Sequence, residues 1–123
     1  MQSDLRQRTK KFALRIITLY SALPRRGNAL VLGNQVLKSG TSVGAHYREG
    51  CRAKSDADFI NKIEGALQEL EETAYWLELI GEAEILSTKR LEPLHSEAEE
   101  LMAILVTIVT KVKSKAQKTV SRG

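Results

Sequence analysis

The spacing of apolar residues restricts what this chain can fold into. In four long segments, apolar side chains recur at steps of three and four residues, the period that aligns them along one side of an α-helix. Only two prolines, Pro24 and Pro93, interrupt the 123 residues, and aromatic residues make up 5% of the chain. Scarce helix breakers and scarce aromatic clusters both favour helix over sheet. The sequence therefore predicts an all-α protein.

Four helices are predicted, at about residues 4–22, 29–53, 56–82 and 88–116, with residues 118–123 expected to fray. The third helix begins at a capping signal, Ser55 followed three residues later by Asp58. Four helices of similar length joined by short connections predict one antiparallel up-down-up-down four-helix bundle over residues 1–123. The apolar stripes expected to form its core run from Leu5 to Leu23, from Phe59 to Ile80 and from Leu91 to Val112.

The centre of the second helix, residues 39–45, is unusually rich in small residues. A glycine inside a helix costs about 1 kcal/mol relative to alanine, so a sequence tolerates it where something must come close. A phosphate-binding nest is one interpretation, but no Walker-type lysine or dinucleotide glycine pattern surrounds the segment. Close helix packing is the preferred interpretation. Gly40, Ser42 and Gly44 are therefore predicted to be structural or interface residues.

The charge is unevenly distributed along the chain. The formal net charge is +4, but residues 1–26 hold seven basic groups and one acid, residues 55–87 hold one basic group and nine acids, and residues 111–123 hold five basic groups and no acid. In an up-down-up-down bundle, the start of helix one shares one end of the molecule with the ends of helices two and four. The sequence therefore predicts a basic pole.

Basic residues at the ends of helices two and four stabilise the negative end of the helix dipole, whereas those at the start of helix one face its positive end. Some partner must offset that cost. It is either the acidic face of helix three, including that of a neighbouring subunit, or a polyanion such as nucleic acid. Because no aromatic residues interleave the basic ones, such binding is expected to depend on phosphate backbone and shape. The residues predicted to contact nucleic acid are Arg6, Arg8, Lys10, Lys11, Arg15, Arg48, Arg52, Lys111, Lys115 and Lys118.

Catalytic interpretations find little support. Glu92 and His95 have the spacing found in di-iron bundles, but such a site needs a second Glu-x-x-His pair and two further glutamates. His46, Glu49 and Cys51 lack an orienting group, and we expect Cys51 to act as a small hydrophobe. Glu49 is predicted to form an ion pair that fixes helix register, with His46 beside it as a structural residue. We expect no enzymatic activity, metal, cofactor or small-molecule substrate.

The sequence also bears on location and self-association. No apolar stretch approaches the roughly 20 residues that cross a bilayer, no signal-peptide core is present, and one cysteine excludes an internal disulfide, so a cytoplasmic location is predicted. Trp76, the one tryptophan, is assigned to packing or a subunit contact. Ile80 and the Val106–Val109 surface suggest apolar area beyond one core, and hence a subunit interface.

Three segments resemble the signature of a bacterial family, the four-helix-bundle proteins first met as products of intervening sequences in 23S ribosomal RNA genes. They are Gln35–Gly50 (QVLKSGTSVGAHYREG), Asp58–Ile63 (DFINKI) and Glu72–Leu79 (ETAYWLEL), and the resemblance extends from about residue 5 to 112. It implies an antiparallel bundle without enzymatic activity that assembles into a ring, commonly a pentamer. A related branch, the accessory protein of diversity-generating retroelements, binds nucleic acid and a reverse transcriptase through a basic surface. Partnership with a reverse transcriptase is not carried over to this chain.

One position departs from the family pattern. His46 stands where the family usually has asparagine, and a histidine can titrate where an asparagine cannot. The expected function is that of a non-catalytic homo-oligomeric bundle that binds structured RNA or DNA through its basic pole. The alternative is a structural or protein-partner scaffold, in which the basic helix one pairs with the acidic helix three of the next subunit.

Overall fold

A computed structural model describes the backbone of residues 2–122 and the side chains of residues 4–117. It contains four helices: α1 (Gln2–Ala22), α2 (Gly27–Cys51), α3 (Asp56–Glu82) and α4 (Thr88–Arg122). The described backbone contains no strand, so the predicted all-α, four-helix class is confirmed. None of the helices in this part of the chain is long and apolar enough to span a membrane.

The helix ends follow from local backbone chemistry. α3 begins at Ser55, whose side chain accepts a hydrogen bond from the Asp58 amide, as the capping signal predicts. α2 begins and ends two residues before its predicted bounds, after Arg26 in an extended conformation. α4 continues to Arg122, beyond its predicted end at about residue 116, and the expected fraying from residue 118 stays a prediction. No glycine or proline occurs between Pro93 and Gly123 to end the helix. The basic residues near the end of α4 also stabilise it, because they interact favourably with the negative end of the helix dipole.

Helices that follow each other in sequence pack against each other, whereas α1 and α4 scarcely touch. Contacts step in opposite directions along neighbouring helices, as in an antiparallel bundle. Between α3 and α4, for example, Glu78 meets His95 while Glu64, farther towards the start of α3, meets Lys113, farther along α4. The connection between α2 and α3 lies next to Val112 of α4. α4 continues past this point and so extends beyond that end of the bundle.

The core is formed by the predicted apolar stripes, with informative exceptions. The residues of the α1 stripe, such as Phe12 and Ile16, are buried. Phe59, Ile108 and Val112 were expected to be core residues but are only half-buried, because the gap between α1 and α4 leaves their end of the core open. The expected apolar surface is present only in part: Ile80 and Val109 are buried and contribute nothing to it, whereas Val106 is 51% exposed.

The small residues of α2 lie where α1 approaches most closely. A Cβ atom added at Gly40 would come 2.7 Å from Cγ1 of Ile16, and one added at Gly44 would come 3.2 Å from Oγ1 of Thr9. On the α3 side, the hydroxyl oxygens of Ser39 and Thr73 are 2.8 Å apart and buried. Ser42 faces outward and donates to the Lys38 carbonyl. The glycine of helix two that packs most tightly is therefore Gly40, which could not carry a side chain without displacing Ile16.

Candidate nucleic-acid interface

One hydrogen bond marks the outer seam between α1 and α2. The Tyr20 hydroxyl donates to Oδ1 of Asn34 over 3.2 Å on the solvent side of the two helices. Because the helices run in opposite directions, moving along this seam means moving back along α1 and forward along α2. Roughly four turns in each direction lead to Arg6 on α1 and Arg48 on α2. These two residues therefore flank the same seam at the far end of the bundle.

Four cations occupy this end of the seam. Lys10 lies one turn from Arg6 towards the middle of α1, and Arg52, which caps the end of α2, lies one turn from Arg48 towards the end of the bundle. Within the side chains of residues 4–117, none of these four cations has a carboxylate within ion-pair distance. We call these residues, Arg6, Lys10, Arg48 and Arg52, the basic stripe. It is a continuous part of the predicted basic pole whose cations have no carboxylate partner within the described side chains.

The other flank of α1 is compensated. Arg8 forms a two-point ion pair with Glu97 of α4 and also contacts Glu100. This pairing lowers the pKa of the Glu97 carboxyl, chiefly through the Arg8 hydrogen bond, with smaller contributions from Arg15 and Lys11. The sequence predicted that the basic start of α1 needs a partner, but it did not identify Glu97. The position of an acid on an amphipathic helix does not indicate which neighbouring helix it meets.

The cations near the end of α4 are in different situations. Lys111 is exposed on the α1 side of the helix, where it lines a groove described below. Lys113 is paired with Glu64 of α3 at 3.1 Å, and Lys115 is engaged in an interaction of its own. Lys118 lies outside the described side chains. Among the basic residues predicted on α4, Lys111 is therefore the best placed to meet a ligand.

A groove of about 720 Å³ opens between the start of α1 and the end of α4. We call it the α1–α4 groove. Its rim carries Asp4, Arg8, Thr107 and Lys111. Its walls are mostly apolar and are formed by Leu5, Tyr47, Phe59, Ile104, Ile108 and Val112. The groove is not predictable from the sequence, because Phe59, Ile108 and Val112 continue apolar stripes that predict burial.

Tyr47 forms the floor of the α1–α4 groove and is 1% exposed. Burial raises the pKa of its phenol above the ordinary value, and a hydrogen bond with Cys51 adds to this effect. The phenol therefore stays neutral through the physiological range. Cys51 is half-buried beside it, which agrees with a packing role better than with that of a nucleophile.

The other residues singled out from the sequence lie on the α2–α3 side of the bundle. Nδ1 of His46 is 3.5 Å from Oε1 of Glu49, and the His46 ring packs against Gly65 of α3. Glu49 is exposed and faces His46, so no ion pair to Arg48 or Arg52 forms within the described side chains. Trp76 is half-buried, its ring centroid 5.2 Å from that of Tyr75.

A pocket between α3 and α4 contains the Glu92–His95 pair noted above. Nε2 of His95 is 3.0 Å from Glu78 and Nδ1 is 3.4 Å from Glu99, so the ring bridges two carboxylates. Glu92 lines the same pocket, of about 350 Å³. Across the side chains that the structure describes, no group of three or more histidine, cysteine, aspartate or glutamate residues is arranged to hold a metal ion.

Comparison with known proteins identifies a family that this chain matches. A family model described as "23S rRNA-intervening sequence protein" matches residues 1–107. The chain is also similar to the 1.70 Å crystal structure of a protein of unknown function from the S23 ribosomal protein family of Bacteroides thetaiotaomicron. The two share 38% identity with a TM-score of 0.83, over 89% of this chain and 99% of the other. Among proteins with curated descriptions, none matches significantly.

Proposed function

Because the chain belongs to the 23S rRNA-intervening sequence protein family, we propose that it is a non-catalytic protein that binds structured RNA through the phosphate backbone. The observation that carries this proposal is the basic stripe, in which Arg6 and Arg48 flank one seam with Lys10 and Arg52 a turn away. Cations without carboxylate partners on a helical surface attract a polyanion and release its condensed counterions on binding. Binding of this kind discriminates weakly between base sequences.

The structure also divides the residues predicted from the sequence into two groups. The stripe residues have no ion-pair partner among the described side chains, whereas Arg8 is held by Glu97 and Glu100. Lys11 and Arg15 lie close enough to Glu97 to lower its pKa, so part of their charge is offset. We therefore assign the larger share of phosphate contact to the basic stripe, with Lys111 as a neighbour at the groove.

The test is binding to a structured RNA hairpin by fluorescence anisotropy over a series of salt concentrations. In one variant the four stripe residues are changed to glutamine. A matched control removes the same charge at the opposite end of the bundle, by changing the exposed Arg25, Arg26, Lys89 and Arg90 to glutamine. We expect the stripe variant to bind more weakly and to flatten the dependence of log K on log salt by roughly one unit per lost phosphate contact. Equal loss in both variants would refute the assignment to the stripe.

The scaffold alternative rests on a separate observation. Several large apolar side chains are exposed on the described surface, among them Leu14 at 54%, Val31 at 60% and Tyr75 at 54%, and Tyr75 lies on the acidic face of α3. Such residues suit a contact between copies, in which α1 of one subunit meets α3 of the next. The oligomer mass of the stripe variant, measured over the same salt series, separates the alternatives. Dissociation together with absence of RNA binding by the wild type would favour the scaffold.

A further inference from the structure

We propose that the α1–α4 groove receives one unpaired nucleobase of the RNA held by the basic stripe. The inference rests on the proposed function and adds a substrate class to it, namely an RNA helix interrupted by a bulged or looped-out base. Three observations support it: the aromatic and aliphatic walls of the groove, the charge at its rim, and its position relative to the stripe.

The walls have the chemistry that a base requires. The faces of a nucleobase are apolar and stack on aromatic side chains, and RNA-binding proteins commonly hold unpaired bases in this way. Phe59 offers a half-buried ring, Ile104 and Ile108 line the side opposite α1, and Tyr47 forms the floor. At about 720 Å³ the groove lies within the usual range for small-ligand sites and is open at one side, as a base that remains attached to its strand requires.

Lys111 and the spare N–H donors of Arg8, whose charge Glu97 and Glu100 offset, suit the phosphates on either side of such a base. Lys111 on α4 and Arg8 on α1 are placed at opposite sides of the opening, and Asp4 is the one acid among the residues that line it. Arg8 keeps unused donor capacity, since a guanidinium has five N–H groups and three of its hydrogen bonds go to Glu97 and Glu100. An uncharged apolar ligand would gain nothing from this rim.

The position of the groove ties it to the basic stripe. The two surfaces flank the same first turns of α1, with Arg6 on the α2 side and Arg8 on the α4 side. An α-helix with its side chains is about 10 Å across, so an RNA strand that crosses the start of α1 can meet both. A base that is already unpaired costs little to place in the groove, whereas a paired base must first be unstacked. The arrangement therefore favours interrupted helices over continuous ones.

The experiment compares three RNA hairpins that differ at one position: a continuous stem, the same stem with one bulged base, and the bulge without its base (an abasic nucleotide). We expect the wild type to bind the bulged stem about tenfold more tightly than the abasic one, in line with the affinity that one stacked base supplies. In the variant Thr107→Trp, a bulky side chain on the rim fills the groove, so this preference should be lost. The matched control is Thr110→Trp, which places the same side chain at an exposed position of α4 that does not line the groove.

A fluorescent 2-aminopurine at the bulge gives a second readout. Its emission should change on binding to the wild type and to the Thr110→Trp variant but not to the Thr107→Trp variant. If the wild type binds bulged and abasic stems equally while the stripe variant weakens both, the groove inference is overturned and the proposed function stands. If no RNA binds at low salt, both fail. If Thr107→Trp lowers the oligomer mass and leaves the preference intact, a second copy covers the groove and the inference is again overturned.

Discussion

The guanidinium of Arg8 meets the carboxylate of Glu97 edge to edge, with Nε to Oε2 at 2.7 Å and Nη2 to Oε1 at 2.9 Å. This two-point ion pair joins α1 to α4, the two helices that otherwise scarcely touch. Because Glu97 is 16% exposed at its side chain, the pair is better shielded than an ordinary surface salt bridge. It therefore contributes to closing the bundle as well as to neutralising the start of α1.

We expect Glu97→Gln to lower the free energy of unfolding by about 1 kcal/mol at pH 7. The pKa of Glu97 is lower in the folded state, so its stabilising effect is present above the pKa of a free glutamate and is lost as the pH falls through the folded value. The difference between wild type and variant should therefore shrink as the pH is lowered towards 3. Urea unfolding at several pH values measures it. A difference that stays constant down to pH 3 would assign the effect to packing.

A second prediction concerns the close contact between α1 and α2. Gly40→Ala gains about 1 kcal/mol of helix propensity but forces a Cβ atom to within 2.7 Å of Ile16, so we expect a net loss of about 1 kcal/mol. Gly44→Ala, where the nearest contact is 3.2 Å, is the matched control and should be close to neutral. Combining Gly40→Ala with Ile16→Ala should destabilise less than the sum of the single changes. If the two changes instead lowered the free energy of unfolding additively, the Cβ atom added at position 40 would not clash with Ile16.

A third prediction uses the phenol at the floor of the groove. Because burial raises the pKa of Tyr47, its contribution to stability is complete below the pKa of free tyrosine, about 10, and is lost as the pH rises beyond it. Tyr47→Phe should therefore lose less stability than the wild type between pH 9 and pH 11. Thermal unfolding followed by circular dichroism gives the comparison. Parallel pH profiles for the two proteins would contradict it.

The cap of α3 allows a fourth prediction. The Ser55 hydroxyl accepts from the Asp58 amide at 3.1 Å, so Ser55→Ala removes the acceptor and should cost about 1 kcal/mol. Ser55→Asp keeps an acceptor and places a negative charge at the positive end of the helix, so it should retain most of the stability. Denaturant unfolding of the two variants measures the difference. Equal losses in the free energy of unfolding would show that the Ser55–Asp58 contact does not act as a helix cap.

The sequence predicted most of the fold because the relevant signals are local. A step of three and four residues defines a buried stripe, and Ser55 followed by Asp58 defines a helix start, without knowledge of any neighbour. The predicted end of α4, at about residue 116, falls short of Arg122 because the end of a chain was expected to fray, whereas no helix breaker occurs before Gly123. The family was also identifiable, since its motifs are contiguous in the chain.

The candidate site was less predictable because it depends on how α1 is rotated between its neighbours. Arg6 and Arg8 are two residues apart, yet one faces the α2 seam without a carboxylate partner among the described side chains and the other is bound by α4 acids. Phe59 continues the α3 stripe by spacing, but it borders a groove because α1 and α4 do not close over it. Distances between helices are set by the sum of many packing contacts, which no single motif encodes.

The weak contact between α1 and α4 has a consequence for folding kinetics. Nearly all helix contacts join partners that follow each other along the chain, so the bundle consists of three consecutive hairpins. Each hairpin forms by closing a short loop, which costs little conformational entropy. Contacts between α1 and α4, which would require closing a loop of nearly the whole chain, are few. Chains dominated by such local contacts fold in microseconds to milliseconds. We expect this bundle to fold rapidly, with α1 and α4, each packed mainly against one neighbour, as the helices whose amides exchange with solvent most readily.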